Sequence, residues 1–249
     1  MSEIPDFLEP QEPAFVNIPS GGEPKPWYQI WIDAITKPNE ENFRKLAALP
    51  NAKASRAYLW VFLSYVVVIA LIGIMQLTFG LSSMTSQFSS YGMDSVPIED
   101  MGISLIGFLC ASPFLGGIAV LGFILGTALI QWMAKLFGGT GTFDKLAFVF
   151  GAIDAPMALI SGVVSALSFI PIVGILFSLA SFGLSIYAFV LHVFAVKAVD
   201  DLDTGKAVGA ILLPGLLFFL LICCCVFIIF ALAGASAGDL FNGVSQGLY

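Results

Sequence analysis

Five long apolar segments, separated by polar or proline-containing breaks, constrain the fold of this chain most strongly. Each has roughly 20 or more residues, about the number that a helix needs to cross the hydrocarbon core of a bilayer. Only 11% of the residues are charged, against about 25% in soluble domains. The sequence therefore predicts an all-α integral membrane bundle of five transmembrane helices, at about 58–81, 114–134, 146–167, 175–196 and 208–232.

The apolar segment 101–137 is longer than one span requires, because a helix of this length would extend about 55 Å. Pro113 divides it, so we place the second span after this residue. Three interpretations stay open for 101–112: a re-entrant piece, an interfacial piece, or an extended end of span two. Gly122 and Gly126 have the GxxxG spacing that allows close helix packing. We expect that packing within the monomer rather than in a dimer.

The positions of the basic residues predict the topology. Six of the ten Lys and Arg precede the first span, two flank the Gly-rich hinge at 138–142, and two flank the loop before the fifth span. Five spans place all ten on one side of the membrane, whereas four or six spans would separate them. The positive-inside rule makes that side cytoplasmic. We therefore expect a cytoplasmic N-terminus and a short non-cytoplasmic tail at 234–249.

The region before the spans divides into two parts. Residues 1–26 hold six prolines among acids and glycines, which predicts a disordered tail without the pattern of a cleavable signal peptide. Residues 27–57 predict cytoplasmic amphipathic or interfacial helices, the second one capped by Asn39. The first helix lies in the membrane interface or packs on the protein itself, and both options stay open. Its apolar stripe consists of Trp27, Ile30, Trp31, Ala34 and Ile35.

Two ionisable residues lie inside predicted spans. Asp154 is in the third span, and His192, the one histidine of the chain, is in the fourth. A charge within the membrane is costly, so we hypothesise that the two side chains meet. The pair then acts as a polar clamp between helices, which we favour, or as a proton- or ion-linked site. Pro156 and Pro214 also lie in spans and predict helix kinks.

No pattern typical of a catalytic, cofactor or metal site is found. The hinge glycines Gly138, Gly139 and Gly141 lack the phosphate-loop pattern and a preceding strand. The acids at 200–203 indicate a solvated loop rather than a cation site. Cys110 and the consecutive cysteines at 223–225 do not have metal-ligand spacing. No basic run indicates nucleic-acid binding.

Three stretches resemble a known family: PWYQIWIDAITKPNEENFRKLA, GGTGTFDKLAFVFGAIDAP and AVKAVDDLDTGKAVGAILLP. They are similar to the YIP domain family (Ypt/Rab-interacting proteins) in its prokaryotic form, over most of the chain from Trp27 to about Leu232. The resemblance implies a five-span bundle with a cytoplasmic N-terminus. Eukaryotic members bind small trafficking GTPases and shape endomembranes. This chain lacks their acidic-aromatic N-terminal signature, so GTPase binding is not carried over to it.

These observations predict a non-enzymatic multi-pass membrane protein that organises a membrane or binds partners through its cytoplasmic face. The expected partners are the lipid bilayer and a cytoplasmic or membrane protein, with a homo-oligomer as an alternative. The alternative function is a small ion- or proton-linked transporter or channel centred on Asp154 and His192. We expect the cell membrane as its location, or the ER or Golgi membrane if the source is eukaryotic.

Overall fold

The computed structural model describes residues 25–75, 98–168 and 174–217, with 219, 220, 223 and 224 beyond them. Nearly all of the disordered tail predicted for 1–26, most of the second half of the fifth predicted span and the tail 234–249 lie outside these residues. The described residues contain helices and no strand, which confirms the all-α prediction. The helices are α1 (Trp27–Thr36), α2 (Glu40–Ala47), α3 (Ala54–Met75), α4 (Ile98–Leu136), α5 (Phe143–Leu167), α6 (Gly174–Asp200) and α7 (Thr204–Leu217).

Four of these helices are long and apolar enough to cross a membrane, namely α3, the part Ile106–Leu136 of α4, α5 and α6. They correspond to the first four predicted spans. The described part of α7 is shorter than a bilayer requires, so the fifth span stays a prediction. Pro156 and Pro214 each lie inside a helix that continues past them, and their role as kinks also stays a prediction.

The segment before Pro113 belongs to span two. Helix α4 is continuous over 39 residues with Pro113 inside it, which agrees with an extended helix end and not with a separate re-entrant piece. A proline removes one backbone hydrogen bond, but ending the helix there would leave several polar groups unpaired in an apolar environment. Of the three interpretations left open for 101–112, the extended end of span two is the one that this continuous helix favours.

Helices α3 and α4 run antiparallel. Their contacts pair later residues of one helix with earlier residues of the other: Gly73 with Phe108, Val66 with Gly116, and Tyr58 with Phe123. The close packing occurs at Gly116, where an added Cβ would lie 2.6 Å from Val66 Cγ2. Among the described residues, no atom lies within 4 Å of a Cβ added at Gly122 or Gly126. The expected packing of this GxxxG pair within the monomer therefore stays a prediction.

Helices α3 and α5 run parallel and form the centre of the bundle. Ala57 contacts Gly151 and Val68 contacts Gly162, so both helices advance by the same number of residues between contacts. A Cβ at Gly151 would lie 2.4 Å from the Cβ of Ala57, a distance at which one helix must shift. Glycine at this position thus sets how closely the two helices approach.

We predict that Gly151→Ala destabilises the bundle by about 1–3 kcal/mol, because the added methyl group overpacks the contact with Ala57. Gly122→Ala is the matched control, since none of the described residues lies within 4 Å of its added Cβ and alanine favours helix. Thermal unfolding in detergent compares the two variants with the unsubstituted protein. Equal midpoints for both variants would contradict the close approach of α3 and α5.

Helices α1 and α2 pack on one end of the bundle, α1 mainly against α5, and α2 against α6 and α5. Ile30 and Ala34 of the predicted stripe are fully buried, and the ring of Trp31 lies 6.1 Å from that of Trp60. Trp27 stays 55% exposed. The buried part of the stripe therefore packs on the protein itself. Asn39 caps α2 as predicted, since its side chain accepts a hydrogen bond from the amide of Asn42 at 2.7 Å.

Candidate functional site

The structure brings Asp154 and His192 together near the middle of the spans. Asp154 lies midway along α5, and its Oδ1 is 3.0 Å from His192 Nε2 of the antiparallel helix α6. Both side chains are mostly buried. The imidazole ring packs edge to face against Phe150, with 4.6 Å between ring centres. The two residues meet as hypothesised from the sequence. Their role as a polar clamp or as a proton- or ion-linked site stays a prediction.

Hydrogen bonding around His192 limits where its protons lie. Its Nδ1 is 2.7 Å from the carbonyl oxygen of Ala188. That oxygen can only accept, so Nδ1 carries a hydrogen and donates it. The contact between Nε2 and Asp154 Oδ1 then requires one shared proton, on either the imidazole or the carboxyl group. In both cases the pair has no net charge, which is the least costly state inside a membrane.

A cavity of about 170 Å³ adjoins this pair, between α3, α5 and α6. Its polar lining comes from Tyr65, Asp154, Ser161 and Ser185, and apolar side chains complete its walls. Both serine hydroxyls donate to carbonyl oxygens of their own helices. Their oxygen lone pairs are then available as hydrogen-bond acceptors for a molecule in the cavity.

A second candidate site lies at one end of the bundle, which we call the polar cap: α1, α2, the hinge 138–142 and the loop 200–203. The hinge amide of Thr140 donates to the carbonyl oxygen of Asp200 at 3.1 Å. The side chain of Gln131 donates to Asp200 Oδ1 at 2.9 Å and to the Gly141 carbonyl oxygen at 3.3 Å. These contacts join the end of α4, the hinge and the end of α6.

The loop at 200–203 is not uniformly solvated as the sequence predicted. Helix α6 continues to Asp200, whose residue surface is 0% exposed, whereas Asp201 and Asp203 are exposed. The carboxylate of Asp200 is buried because the hinge folds directly over it. Sequence reasoning missed both Asp200 and Gln131. The available signal for Gln131 was an amide side chain in an otherwise apolar span.

Backbone conformation at Gly138 and close packing at Gly139 and Gly141 favour glycine in the hinge. Gly138 has a φ of 93°, a left-handed conformation that glycine adopts readily. An added Cβ at Gly139 would lie 2.8 Å from Asp200 Oδ1, and one at Gly141 would lie 2.6 Å from the Val199 carbonyl oxygen. The glycines thus allow the hinge backbone to approach the end of α6. Their role as a point of motion stays a prediction.

Ion pairs connect α2 with the end of α6. Arg44 lies 2.9 Å from both Glu40 and Asp201, and Lys197 lies 3.1 Å from Glu40. Each exposed pair contributes roughly 0–1 kcal/mol, so they orient the cap more than they stabilise it. Tyr187 of α6 also donates a hydrogen bond to the carbonyl oxygen of Ile35 in α1.

Asp33 of α1, whose side chain is mostly buried, forms ion pairs with two lysines. Its oxygens lie 2.8 Å from Lys25 Nζ and 2.7 Å from Lys37 Nζ. Burial opposes ionisation of the carboxyl group, but the two lysine hydrogen bonds outweigh this effect and lower the pKa of Asp33. A lowered folded-state pKa means that the stabilisation is present above the unfolded value of about 3.9 and is lost as the pH falls through the folded value.

We therefore predict that α1 becomes less protected from hydrogen exchange, after correction for intrinsic rates, as the pH falls below about 4. Asp33→Asn should lower the protection of α1 at pH 7 and remove most of this pH dependence. Exchange measured by mass spectrometry on α1 peptides, with α5 peptides as the internal control, checks both results. Unchanged α1 protection between pH 7 and pH 3 in the unsubstituted protein would contradict the role given to Asp33.

The helix ends that carry basic residues meet at the polar cap. The contacts of the hinge with Asp200 bring the end of α4 and the start of α5 to the end of α6 and the start of α7. Helix α3 begins at the same end, because it runs parallel to α5 with Ala57 against Gly151. Among the described spans, this arrangement agrees with the segregation of Lys and Arg expected from the sequence.

Comparison with protein families gives one match, to the Yip1 domain, over residues 32–228. The matched region extends from within α1 to beyond the described part of α7, and it includes the hinge, Asp154 and His192. Comparisons with curated proteins and with solved structures give no significant match. The family match covers well over half of the chain and agrees with the resemblance in the sequence and with the helical membrane bundle. The chain belongs to the Yip1 domain family.

Proposed function

We propose that this multi-pass Yip1-domain protein is non-enzymatic and acts through the polar cap, by binding protein partners and organising the surrounding membrane. The observation that carries the proposal is the cap itself. Segments far apart in sequence form one surface, held by the contacts of Tyr187 with Ile35, Arg44 with Asp201, and Thr140 with Asp200. The Yip1 domain family is a membrane-trafficking family that is not known for enzymatic activity.

The proposal places the cap on the cytoplasmic side, because all ten basic residues belong to segments that lead into it. The N-terminus is then cytoplasmic and, with a fifth span, the C-terminus is outside. The cell membrane is the proposed location, with an endomembrane as the alternative for a eukaryotic source.

The outer side of α1 suggests how the cap meets the bilayer. Trp27, Tyr28 and Ile32 are about half exposed on this side, while the opposite side packs on α5. Exposed tryptophan and tyrosine are typical of the membrane–water interface. We propose that α1 packs on the bundle and also contacts lipid headgroups, so that the two options left open by the sequence both apply.

Photo-crosslinking tests the binding of partners. A photoreactive amino acid replaces Glu41 or Asp203, both of which are exposed on the cap. The control position is Leu179, which is exposed near the start of α6, at the opposite end of that helix from the cap. We expect discrete protein adducts from both cap positions in intact cells and none from Leu179. Adducts at Leu179 alone, or at no position, would contradict the proposal, and adducts of twice the chain mass would identify a second copy as the partner.

The transporter alternative is not favoured. Among the described residues inside the spans, Asp154 and His192 form one ion pair, whereas proton and ion pathways usually have a chain of ionisable groups. Reconstituted vesicles that show no proton or cation flux would agree with the cap-centred function. A flux that Asp154→Asn abolishes in a folded protein would support the alternative instead.

A further inference from the structure

We propose that the cavity beside Asp154 binds a small organic amine in its protonated, ammonium form. This inference is independent of the function proposed for the polar cap. The cavity lies among the spanning helices, between α3, α5 and α6, and is bordered by the Asp154–His192 pair. The polar groups that line it already have partners within the protein, but their oxygens can accept further hydrogen bonds, which a ligand with several donors would supply.

The polar groups of the cavity favour a ligand rich in hydrogen-bond donors. Ser161 and Ser185 have already donated their hydroxyl hydrogens to Met157 and Ser181 carbonyl oxygens. The carboxyl group of Asp154 offers its second oxygen, because only Oδ1 contacts His192. An ammonium group has three donors and no acceptor, which matches one carboxyl oxygen and two hydroxyl oxygens.

The size and the remaining walls favour an organic molecule. The cavity is partly open at the exposed Ser185, and its volume of about 170 Å³ is of the same order as the roughly 150 Å³ of an engineered, enclosed cavity that holds benzene. Met157, Leu184 and Ala188 supply apolar walls, against which the carbon atoms of a short aliphatic amine can pack. An inorganic cation would leave these apolar walls without contacts.

The charge of the site predicts that amine binding displaces a proton. The titratable groups at the site are Tyr65 from α3, Asp154 from α5 and His192 from α6, and α4 contributes none to the lining. The Asp154–His192 pair with its shared proton is neutral, so an added ammonium would give a buried positive charge. Release of the shared proton restores neutrality, leaving the ammonium, a carboxylate and a neutral imidazole. The affinity for the amine should therefore rise with pH while the amine itself stays protonated.

Thermal unfolding of the full chain in detergent tests the proposal, with isobutylammonium chloride as the probe. The controls are isobutanol, which has the same carbon skeleton without the charge, and sodium chloride at equal ionic strength. We expect a saturable rise of about 5–10 °C in the midpoint at 100 times the dissociation constant of the amine. The rise should be larger at pH 8 than at pH 6, and neither control should reproduce it.

Two variants assign the effect to the cavity. Ala158 lines the cavity, so Ala158→Leu should fill it and abolish the response to the amine while the Asp154–His192 pair is kept. Ala128→Leu is the matched control, since Ala128 is exposed on α4 and does not line the cavity, and it should respond as the unsubstituted protein does. An absent response, an equal response to isobutanol or to sodium chloride, or a full response in Ala158→Leu would each overturn the proposal.

Discussion

Replacing His192 by leucine should lower the free energy of unfolding by about 3–5 kcal/mol, because it leaves Asp154 buried without its partner. Asp154 Oδ1 lies 3.0 Å from His192 Nε2, and an unpaired carboxyl group in the bundle must either keep an uncompensated charge or take up a proton. At about 2–4 °C for each kcal/mol in a chain of this size, the midpoint of thermal unfolding should fall by roughly 6–20 °C.

The double variant Asp154→Leu with His192→Leu distinguishes the effect of leaving Asp154 unpaired from the effect of removing the imidazole ring itself. An apolar pair of similar size replaces a buried ion pair at little cost, so the double variant should be more stable than His192→Leu alone. Ala128→Leu on the exposed surface of α4 controls for the added apolar side chain. A double variant that is no more stable than His192→Leu would show that Asp154 does not depend on His192.

Replacing Gly141 by valine should release the hinge from the end of α6 and cost about 3 kcal/mol. An added Cβ at this position would lie 2.6 Å from the Val199 carbonyl oxygen and 2.8 Å from Asp200 Oδ1. The hinge must move away, which breaks the bond of Thr140 with Asp200 and leaves the buried Asp200 with fewer partners.

Hydrogen exchange distinguishes this local effect from general unfolding. In Gly141→Val, the hinge and α2 should lose protection more than the middle of α5 does. Gly183→Val on α6 is the matched control, because within the described part of the chain no atom lies within 4 Å of its added Cβ. If Gly141→Val keeps the protection of the hinge, or if both variants lose it equally, the contact between the hinge and Asp200 is not what holds the cap.

The four long apolar helices were predictable because their signal is the length of an apolar segment, and that length is set by the bilayer rather than by neighbouring helices. The cap of α2 was predictable for a similar reason, since Asn39 acts on an amide three residues away. The residue at which span two begins was not predictable. Pro113 is a helix breaker in water, but backbone hydrogen bonding within an apolar bundle keeps the helix continuous around it.

The packing between helices could not be predicted from the sequence. Gly122 and Gly126 have the spacing of a packing motif yet contact none of the described helices, whereas Gly151 and Gly162 are in close contact with α3. Spacing identifies a small-residue face, but the rotation of the helix decides whether that face meets a neighbour. The burial of Asp200 was also not predicted, because it depends on a hinge about 60 residues earlier in the chain.

The candidate pair was predictable in part. Charge inside a membrane demands a partner, and His192 was the available group at a depth similar to that of Asp154. The cavity beside the pair was not predictable, because its volume depends on how α3, α5 and α6 diverge around Tyr65, Ser161 and Ser185. No sequence pattern specifies such a gap between helices.

Labelling of single cysteines in oriented vesicles tests most directly the claim that the polar cap is one cytoplasmic surface. The four native cysteines are replaced by alanine, and a cysteine is introduced in place of Glu41, Asp203 or Tyr249. An impermeant maleimide should label the first two positions in inverted vesicles only and position 249 in right-side-out vesicles only. Labelling of positions 41 and 203 from opposite sides, or of both from outside, would contradict the cytoplasmic cap.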